Sequence, residues 1–471
     1  MGLRDIFLLV TIYGSVPFIY MKPFIGVLVW YWLALMNPHR ISWTLTNQPF
    51  AQLIALAMLS SLLIARNETK RIPVTPITIT LGIFWVWMLA TTFFSMYPEL
   101  AWKQWDKVWK IMLTTYVAIM VLNSRERIIS LTVVAAMSIG YYGFKGGLFT
   151  ILTGGGFRVW GPAGSFIGGN NEIGLALIMT VPLLVYLRGI VTYRGLKWAL
   201  LAGAVLCVFA ILGTQSRGAL VGVSAMSLFL IFKSKNKIPY LLLAAILAFV
   251  AWNFMPETWH ERMDTIGEYE EDSSAQGRIK AWRMAVNLSG DRVFGGGFEC
   301  FKPMTYLMYL PEVGARGTDA HSIYFETLAE HGVIGLTLFL LIGLFTFLAC
   351  GRIMRRTRGL SDLLWMNELA RMIQVSLVGY AVSGLFLGLA YFDFYYALVA
   401  IVVGMTTVLA QHEASLADER QQAPVAAGPV VPAAMATGKG ARPARAGPQR
   451  MKMLPSFNEA WAWGLQWYRR L

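Results

Sequence analysis

The residues richest in chemistry lie in one stretch, Asp319-Ala320-His321-Ser322-Ile323-Tyr324-Phe325-Glu326-Thr327-Leu328-Ala329-Glu330-His331-Gly332, directly ahead of an apolar run. An imidazole can take a proton from a hydroxyl at neutral pH, so His321 is a candidate general base. If the stretch is helical from its start, His321, Tyr324 and Leu328 share a face at spacings of three and four. Asp319, Glu326 and Glu330 could orient the imidazole or act as the base themselves, and the sequence leaves that choice open. A lone histidine is more often a packed or capping residue; the surrounding carboxylates and tyrosine favour the chemical reading here. His331, beside Gly332, reads as a helix-end residue.

Two arginines complete the candidate set. Arg217, in Gly213-Thr214-Gln215-Ser216-Arg217-Gly218, falls between two apolar runs with almost no loop to hold it in water. A cation costs about 2.5 to 3.5 kcal/mol at the centre of a membrane helix and less near the interface, so it calls for an anionic partner. It reads either as an arginine snorkelling to the interface or as a phosphate clamp, whose guanidinium fork suits phosphate oxygens. Arg278, in Gln276-Gly277-Arg278-Ile279-Lys280-Ala281-Trp282, is the second cationic arm, with Lys280 and Arg283 as alternates on nearby faces. Together two such arms could neutralise a pyrophosphate leaving group as charge develops. Arg158 and Asn170, in Gly-rich stretches, are expected to line the entrance of the same cavity. Those stretches lack the strand-then-helix setting and the Lys-Ser/Thr ending of a nucleotide loop. The acidic run Glu268-Tyr269-Glu270-Glu271-Asp272 reads as a solvated turn rather than a cation site.

The elements that must position these residues are membrane spans. The chain has 471 residues, of which 56% are apolar and only 14% charged, unlike a soluble globular domain. Apolar stretches near 20 residues recur up to residue 254 and again from about residue 328 to 410. We read spans near 48–65, 75–95, 107–122, 127–150, 170–188, 197–213, 216–232, 238–254, 328–350, 367–389 and 391–410. Residues 5–36, interrupted by Pro17, Lys22 and Pro23, form one broken helix or two short ones, and twelve spans is the count adopted.

The net charge of +14 does not point to nucleic acid. Basic residues cluster in every second loop, among them Arg66, Lys70 and Arg71, Arg125 and Arg127, and Arg352 to Arg358, which is the positive-inside pattern and makes those loops cytoplasmic. Residues 255–327 then form one large loop on the other side. Over residues 256–330 there are thirteen Asp or Glu against seven Lys or Arg, the reverse of the chain as a whole. Within this loop Ser274 to Leu288 reads as an amphipathic helix with Ile279, Trp282, Ala285 and Val286 on one face, followed by a flexible turn at Gly295-Gly296-Gly297. Residues 411–471 form the tail, disordered and then ending in an interfacial helix rich in Trp and Arg. Cys207 and Cys350 lie in apolar runs and Cys300 is alone in the loop, which argues against a disulfide framework or a thiolate metal site.

The run His321-Ser322-x-Tyr324-x-Glu326-x-Leu328-Ala329-Glu330-x-Gly332 behind a long outer loop, with Ser216-Arg217-Gly218 and Gly277-Arg278 followed by Trp282, resembles the O-antigen ligase and polymerase superfamily. Met36-Asn37-Pro38-His39-Arg40, Tyr142-Gly143-Phe144-Lys145-Gly146-Gly147 and Val159-Trp160-Gly161-Pro162 are similar to the branch of O-glycosylation ligases associated with exosortase systems. The resemblance implies an all-α polytopic membrane protein, GT-C-like, with about 12 transmembrane helices and one large periplasmic loop between late spans. It places the chain in a bacterial inner membrane with its active site facing the periplasm. It implies a metal-independent, inverting glycosyltransferase without a cofactor, taking glycan en bloc from an undecaprenyl-pyrophosphate-linked donor. Arg217 and Arg278 would hold pyrophosphate and His321 would activate the acceptor hydroxyl. Lys145, Arg158, Asn170, Lys280, Arg283, Tyr324 and Glu326 are the expected substrate contacts. The acceptor is read as a lipid A core sugar, with a protein hydroxyl or a growing glycan as alternatives. A lipid or glycan transporter, with Asp393 as its main intramembrane carboxylate, is the reading from a different class.

Overall fold

The computed structural model describes residues 2–42, 44–45, 48–66, 68, 70–234, 237–257, 259–260, 273–314 and 317–422. The run Glu268 to Asp272 and the tail beyond residue 422 lie outside the described residues. Among those described, every regular element is helical. In chain order the helices are α1 (Leu3–Met21), α2 (Pro23–Met36), α3 (Pro38–Ile41), α4 (Phe50–Ile64), α5 (Pro76–Phe93), α6 (Pro98–Val121), α7 (Arg125–Leu152) and α8 (Asn170–Ile190). They continue with α9 (Arg194–Gly213), α10 (Arg217–Lys233), α11 (Lys237–Phe254), α12 (Ser273–Asp291), α13 (Pro303–Tyr309), α14 (Ile323–Arg356), α15 (Leu364–Ser383) and α16 (Asp393–Gln422).

Among the described residues nine helices are long and apolar enough to cross a membrane, and α2 and α4 are shorter apolar helices. The chain is a multi-pass membrane protein. Its outward-facing surface agrees with this: Phe7, Leu63, Val86, Phe232 and Phe249 are each more than three-fifths exposed, and a water-soluble monomer rarely leaves that much apolar surface uncovered. The chain breaks at Lys22, where Pro23 starts a new helix at a position whose amide needs no helical partner, so residues 5–36 form two helices. α8 and α16 are the most enclosed spans, with 78% of each apolar window buried against 22% for α1. The bundle core therefore runs along these two helices.

Helix packing explains one of the Gly-rich motifs. A Cβ on Gly143 would lie 2.2 Å from Cys207 Sγ, and one on Gly147 would lie 2.1 Å from the Leu206 carbonyl oxygen. Both glycines let α7 approach the backbone of α9, the device small residues serve between membrane helices. Lys145 is exposed on α7, away from that contact. The motifs at 36–40, 142–147 and 159–162 also meet in space. Tyr142 donates its hydroxyl to the Met36 carbonyl, and Gly146 faces Val159.

The tail begins later than the sequence suggests. Residues 411–422 continue α16, because Gln411 to Gln422 contains no proline or glycine and the first breaker is Pro424. An ion pair from Arg356 to Glu413 at 3.2 Å and a contact of 3.4 Å between His412 Nε2 and the Asp362 carboxyl link this extension to the corner between α14 and α15.

Candidate active site

The outer segment folds around its own small core. Ala281, Met284, Ala285 and Leu288 of α12 are buried with Cys300, Tyr306, Leu310 and Ala329. The buried stripe is therefore 281, 284, 285 and 288, and Val286, expected on it, is 52% exposed. Burial pushes the Cys300 thiol well above its ordinary range, which leaves it inert as a nucleophile.

The Gly295-Gly296-Gly297 segment is buried and tied down rather than flexible. Helix α14 is broken at Gly332, which has φ 69° and ψ −174°. The Ala329 and Glu330 carbonyls accept instead from Gly296 N at 2.8 Å and Gly297 N at 2.9 Å. Gly295 and Gly297 reach this geometry through φ of 62° and 76°. The Gly296 carbonyl in turn accepts from Met96 N, so the segment links α14 to the corner between α5 and α6.

His321 does not lie on the helix. Ser322 is the N-cap of α14, and His321 precedes it with φ 43°, a left-handed conformation. The shared face with Tyr324 and Leu328 is therefore not formed. What holds residues 318–321 is α12. Trp282 Nε1 donates to the Ala320 carbonyl at 2.8 Å and its ring stacks on Phe325 at 4.8 Å between centroids. The Thr318 hydroxyl donates to the Gly277 carbonyl at 3.2 Å, so Arg278 adjoins the strap that carries His321.

His321 lines a cavity of about 140 Å3 together with Glu172, Glu299, Asp319, Glu326 and Glu330, floored by Phe301, Ala320 and Gly388. Glu326 and Glu330 stand one turn apart on α14. Glu326 Oε2 accepts from Ala390 N at 3.2 Å, and a Cβ on Gly388 would sit 3.1 Å from the same oxygen. Glu330 is buried; its Oε1 accepts from Glu299 N at 2.8 Å and its Oε2 from the Tyr391 hydroxyl at 2.7 Å. Lys302 pairs with Glu299 at 3.0 Å. Burial works against the Lys302 charge, and the Glu299 carboxylate outweighs it, holding the ammonium above the usual lysine range. A histidine among carboxylates can accept a hydroxyl proton, and the carboxylates can offset positive charge developing at a carbon.

On the other flank a second cluster surrounds the turn between α9 and α10. Asn170 Nδ2 donates to the Thr214 carbonyl at 2.9 Å, Arg158 Nε donates to Gln215 Oε1 at 3.2 Å, and Gln215 Nε2 donates to the Gly155 carbonyl. Ser216 caps α10, and Arg217 is its first residue. Gly218 packs so closely that a Cβ there would meet Phe386 Cβ at 2.8 Å, two residues before Gly388. The first turn of α8 joins the clusters, with Asn170 on the Thr214 carbonyl and Glu172 in the cavity wall.

The structure thus gathers His321 and Glu326 in one cavity, puts Arg278 beside the His321 strap, and places Arg217, Arg158 and Asn170 around the α9–α10 turn. Others stand apart. Tyr324 donates its hydroxyl to the Ala381 carbonyl at 2.7 Å and lines a different, apolar cavity with Phe339 and Tyr395. Arg283 pairs with Glu312 at 3.0 Å with both side chains more than half exposed. Lys280 is exposed on α12, and Lys145 on α7. His331 ends the first segment of α14 and is fully buried, its Nδ1 2.6 Å from Thr91 Oγ1 and its carbonyl accepting from Trp87 Nε1. Asp393 is buried at the first position of α16. Glu172, Glu299 and Tyr391 were not anticipated as site residues. Only tertiary contact brings them there, since Glu172 is more than 120 residues from Glu299.

Two families match parts of this chain. Residues 3–192 match a family of unknown function, and residues 202–340 match the O-antigen ligase family. The second match contains Arg217, Arg278, His321, Glu326 and Glu330. No similar chain was found among the curated proteins. Residues 202–340 are therefore O-antigen ligase-like, which associates the chain with membrane glycosyl transfer of the ligase and polymerase type and with lipid-linked glycans.

Proposed function

We propose that this protein transfers a glycan en bloc from undecaprenyl pyrophosphate to an acceptor hydroxyl at the periplasmic face of a bacterial inner membrane. The observation that carries the reading is the shared cavity of His321, Glu326 and Glu330, flanked by the segments bearing Arg217 and Arg278. His321 takes the proton of the acceptor hydroxyl as its oxygen attacks the anomeric carbon. The bond from that carbon to the pyrophosphate oxygen breaks, undecaprenyl pyrophosphate leaves, and the configuration at carbon inverts. Arg217 and Arg278 hold the diphosphate as its charge grows. Residues 255–327 serve as the catalytic loop between the spans of 1–254 and 328–410.

The acceptor we favour is a lipid A core sugar. A protein hydroxyl is the second reading, supported by the mutual contact of the motifs at 36–40, 142–147 and 159–162, which resemble the exosortase-associated branch.

Purified protein given lipid-linked glycan and separate acceptors tests both, in buffer with no energy source or added metal. Product on core oligosaccharide supports the ligase, product on protein the second reading, and no product on any acceptor overturns glycosyl transfer in favour of transport. His321→Ala should lower turnover about 100- to 10,000-fold, the range for loss of a positioned base, while donor binding persists. Full activity in that variant would sink the assignment. Arg217→Ala and Arg278→Ala should each weaken donor binding; unchanged affinity in both removes the clamp.

A further inference from the structure

At the end of α8 remote from Glu172 lies a larger cavity, of about 730 Å3. The 21 residues of α8 place the two ends about 30 Å apart, so this cavity opens near the opposite membrane surface. Its wall carries Arg125 from the start of α7, Arg188 from the end of α8, and Arg371 and Glu368 from α15. Arg371 already holds Glu368 at 3.0 Å, and Asp362, also in the wall, lies 3.4 Å from His412 Nε2. Arg125 lies over the Trp365 ring at 5.5 Å from its centroid, and neither Arg125 nor Arg188 forms an ion pair with any described residue.

Tyr186, also in the wall, is 3% exposed, and its hydroxyl has no hydrogen-bond partner among the described residues. A buried hydroxyl left unpaired is costly, and an oxygen-bearing ligand would relieve it. The cavity shares Val185, Arg188, Leu230 and Tyr240 with an apolar groove of about 390 Å3, which runs from Arg188 past Ala204 and Leu243 between α8, α9, α10 and α11.

Cationic groups at the membrane surface, joined to an apolar trough running into the bundle, match the two halves of an amphiphile. We propose that this is a binding site for an anionic phospholipid of the leaflet at that surface. The phosphate lies between Arg125 and Arg188 and accepts from the Tyr186 hydroxyl, while an acyl chain fills the groove. The site is separate from the carboxylate cavity and does not depend on what that cavity does.

Native mass spectrometry of the full chain in detergent tests this, with phosphatidylglycerol and phosphatidylcholine of the same acyl chains as probes. Phosphatidylglycerol should be retained in preference to phosphatidylcholine. The double variant Arg125→Gln, Arg188→Gln should lower its retention about 25-fold, at roughly fivefold per arginine. Ala244→Trp, which fills the groove and leaves both arginines, should lower retention as well. Equal retention of the two lipids, or undiminished phosphatidylglycerol binding in both variants, overturns the proposal. Displacement by millimolar inorganic phosphate would make this a free-anion site instead, and preferential capture of a polyprenyl phosphate would replace the phospholipid as the ligand.

Discussion

Tyr391 donates its hydroxyl to Glu330 Oε2 at 2.7 Å, joining the turn ahead of α16 to the carboxylate wall of the cavity. The same tyrosine ring meets the edges of Phe298 and His331, at 5.1 and 5.8 Å between centroids. One side chain therefore fixes both a polar and an aromatic contact of the loop–membrane junction.

Tyr391→Phe keeps the ring and removes only the donor to a buried carboxylate. Losing one partner of a buried acceptor costs about 1 to 3 kcal/mol. The melting temperature of the purified protein should fall accordingly, and an unchanged midpoint would mean that Glu330 finds another donor.

Gly332 and Gly359 both have positive φ, at 69° and 84°, yet they should respond differently to alanine. At Gly359 nothing lies within 4 Å of an added Cβ, so only backbone strain of about 1 to 2 kcal/mol is expected. At Gly332 the added Cβ would lie 2.2 Å from the Val293 carbonyl oxygen, and the junction must open to admit it. Gly332→Ala should therefore lose the folded loop while Gly359→Ala stays assembled, as limited proteolysis of the outer segment would report. Equal behaviour would show that the loop is not clamped at the helix break.

The positions of the helices were legible because apolar runs and basic punctuation are local signals: every expected span coincides with a helix, although α6 starts at Pro98, nine residues before its apolar half. Its early charges face outward, with Lys110 and Asp106 paired at 2.7 Å. The His321 to Glu330 constellation was legible for the same reason, since one continuous run of ten residues carries most of it. What could not be read was tertiary. Glu172 and Glu299 reach the cavity only once α8 and the glycine segment are in place. The helical placement of His321 failed because Ser322 caps the helix one residue later. The glycine segment looked flexible because nothing local shows that a break 35 residues downstream, at Gly332, frees carbonyls for it to bind.

Trp282 is a positioning residue for the strap that carries His321. Trp282→Phe keeps an aromatic ring against Phe325 and removes the donor to the Ala320 carbonyl. Turnover should fall about tenfold, the cost of a hydrogen bond of about 1.4 kcal/mol, while donor affinity stays the same. A change in donor affinity without a change in turnover would place the effect at Arg278 instead, on the same helix.

Glu326 and Asp319 both line the cavity with His321, and substitution separates their roles. Glu326→Gln keeps the side-chain shape and an oxygen for Ala390 N but removes the carboxyl group's ability to hold or release a proton. Asp319 is exposed, so its field at the reacting atoms is screened by water. If Glu326 supports the imidazole as it gains a proton, Glu326→Gln should lower kcat about 100-fold with KM little changed, within the range for a group that acts with a general base. Asp319→Asn should cost less than about threefold, as expected of a solvent-screened charge. A larger loss in the Asp319 variant would transfer the supporting role to the strap, one turn of chain away from the helix that carries Glu326.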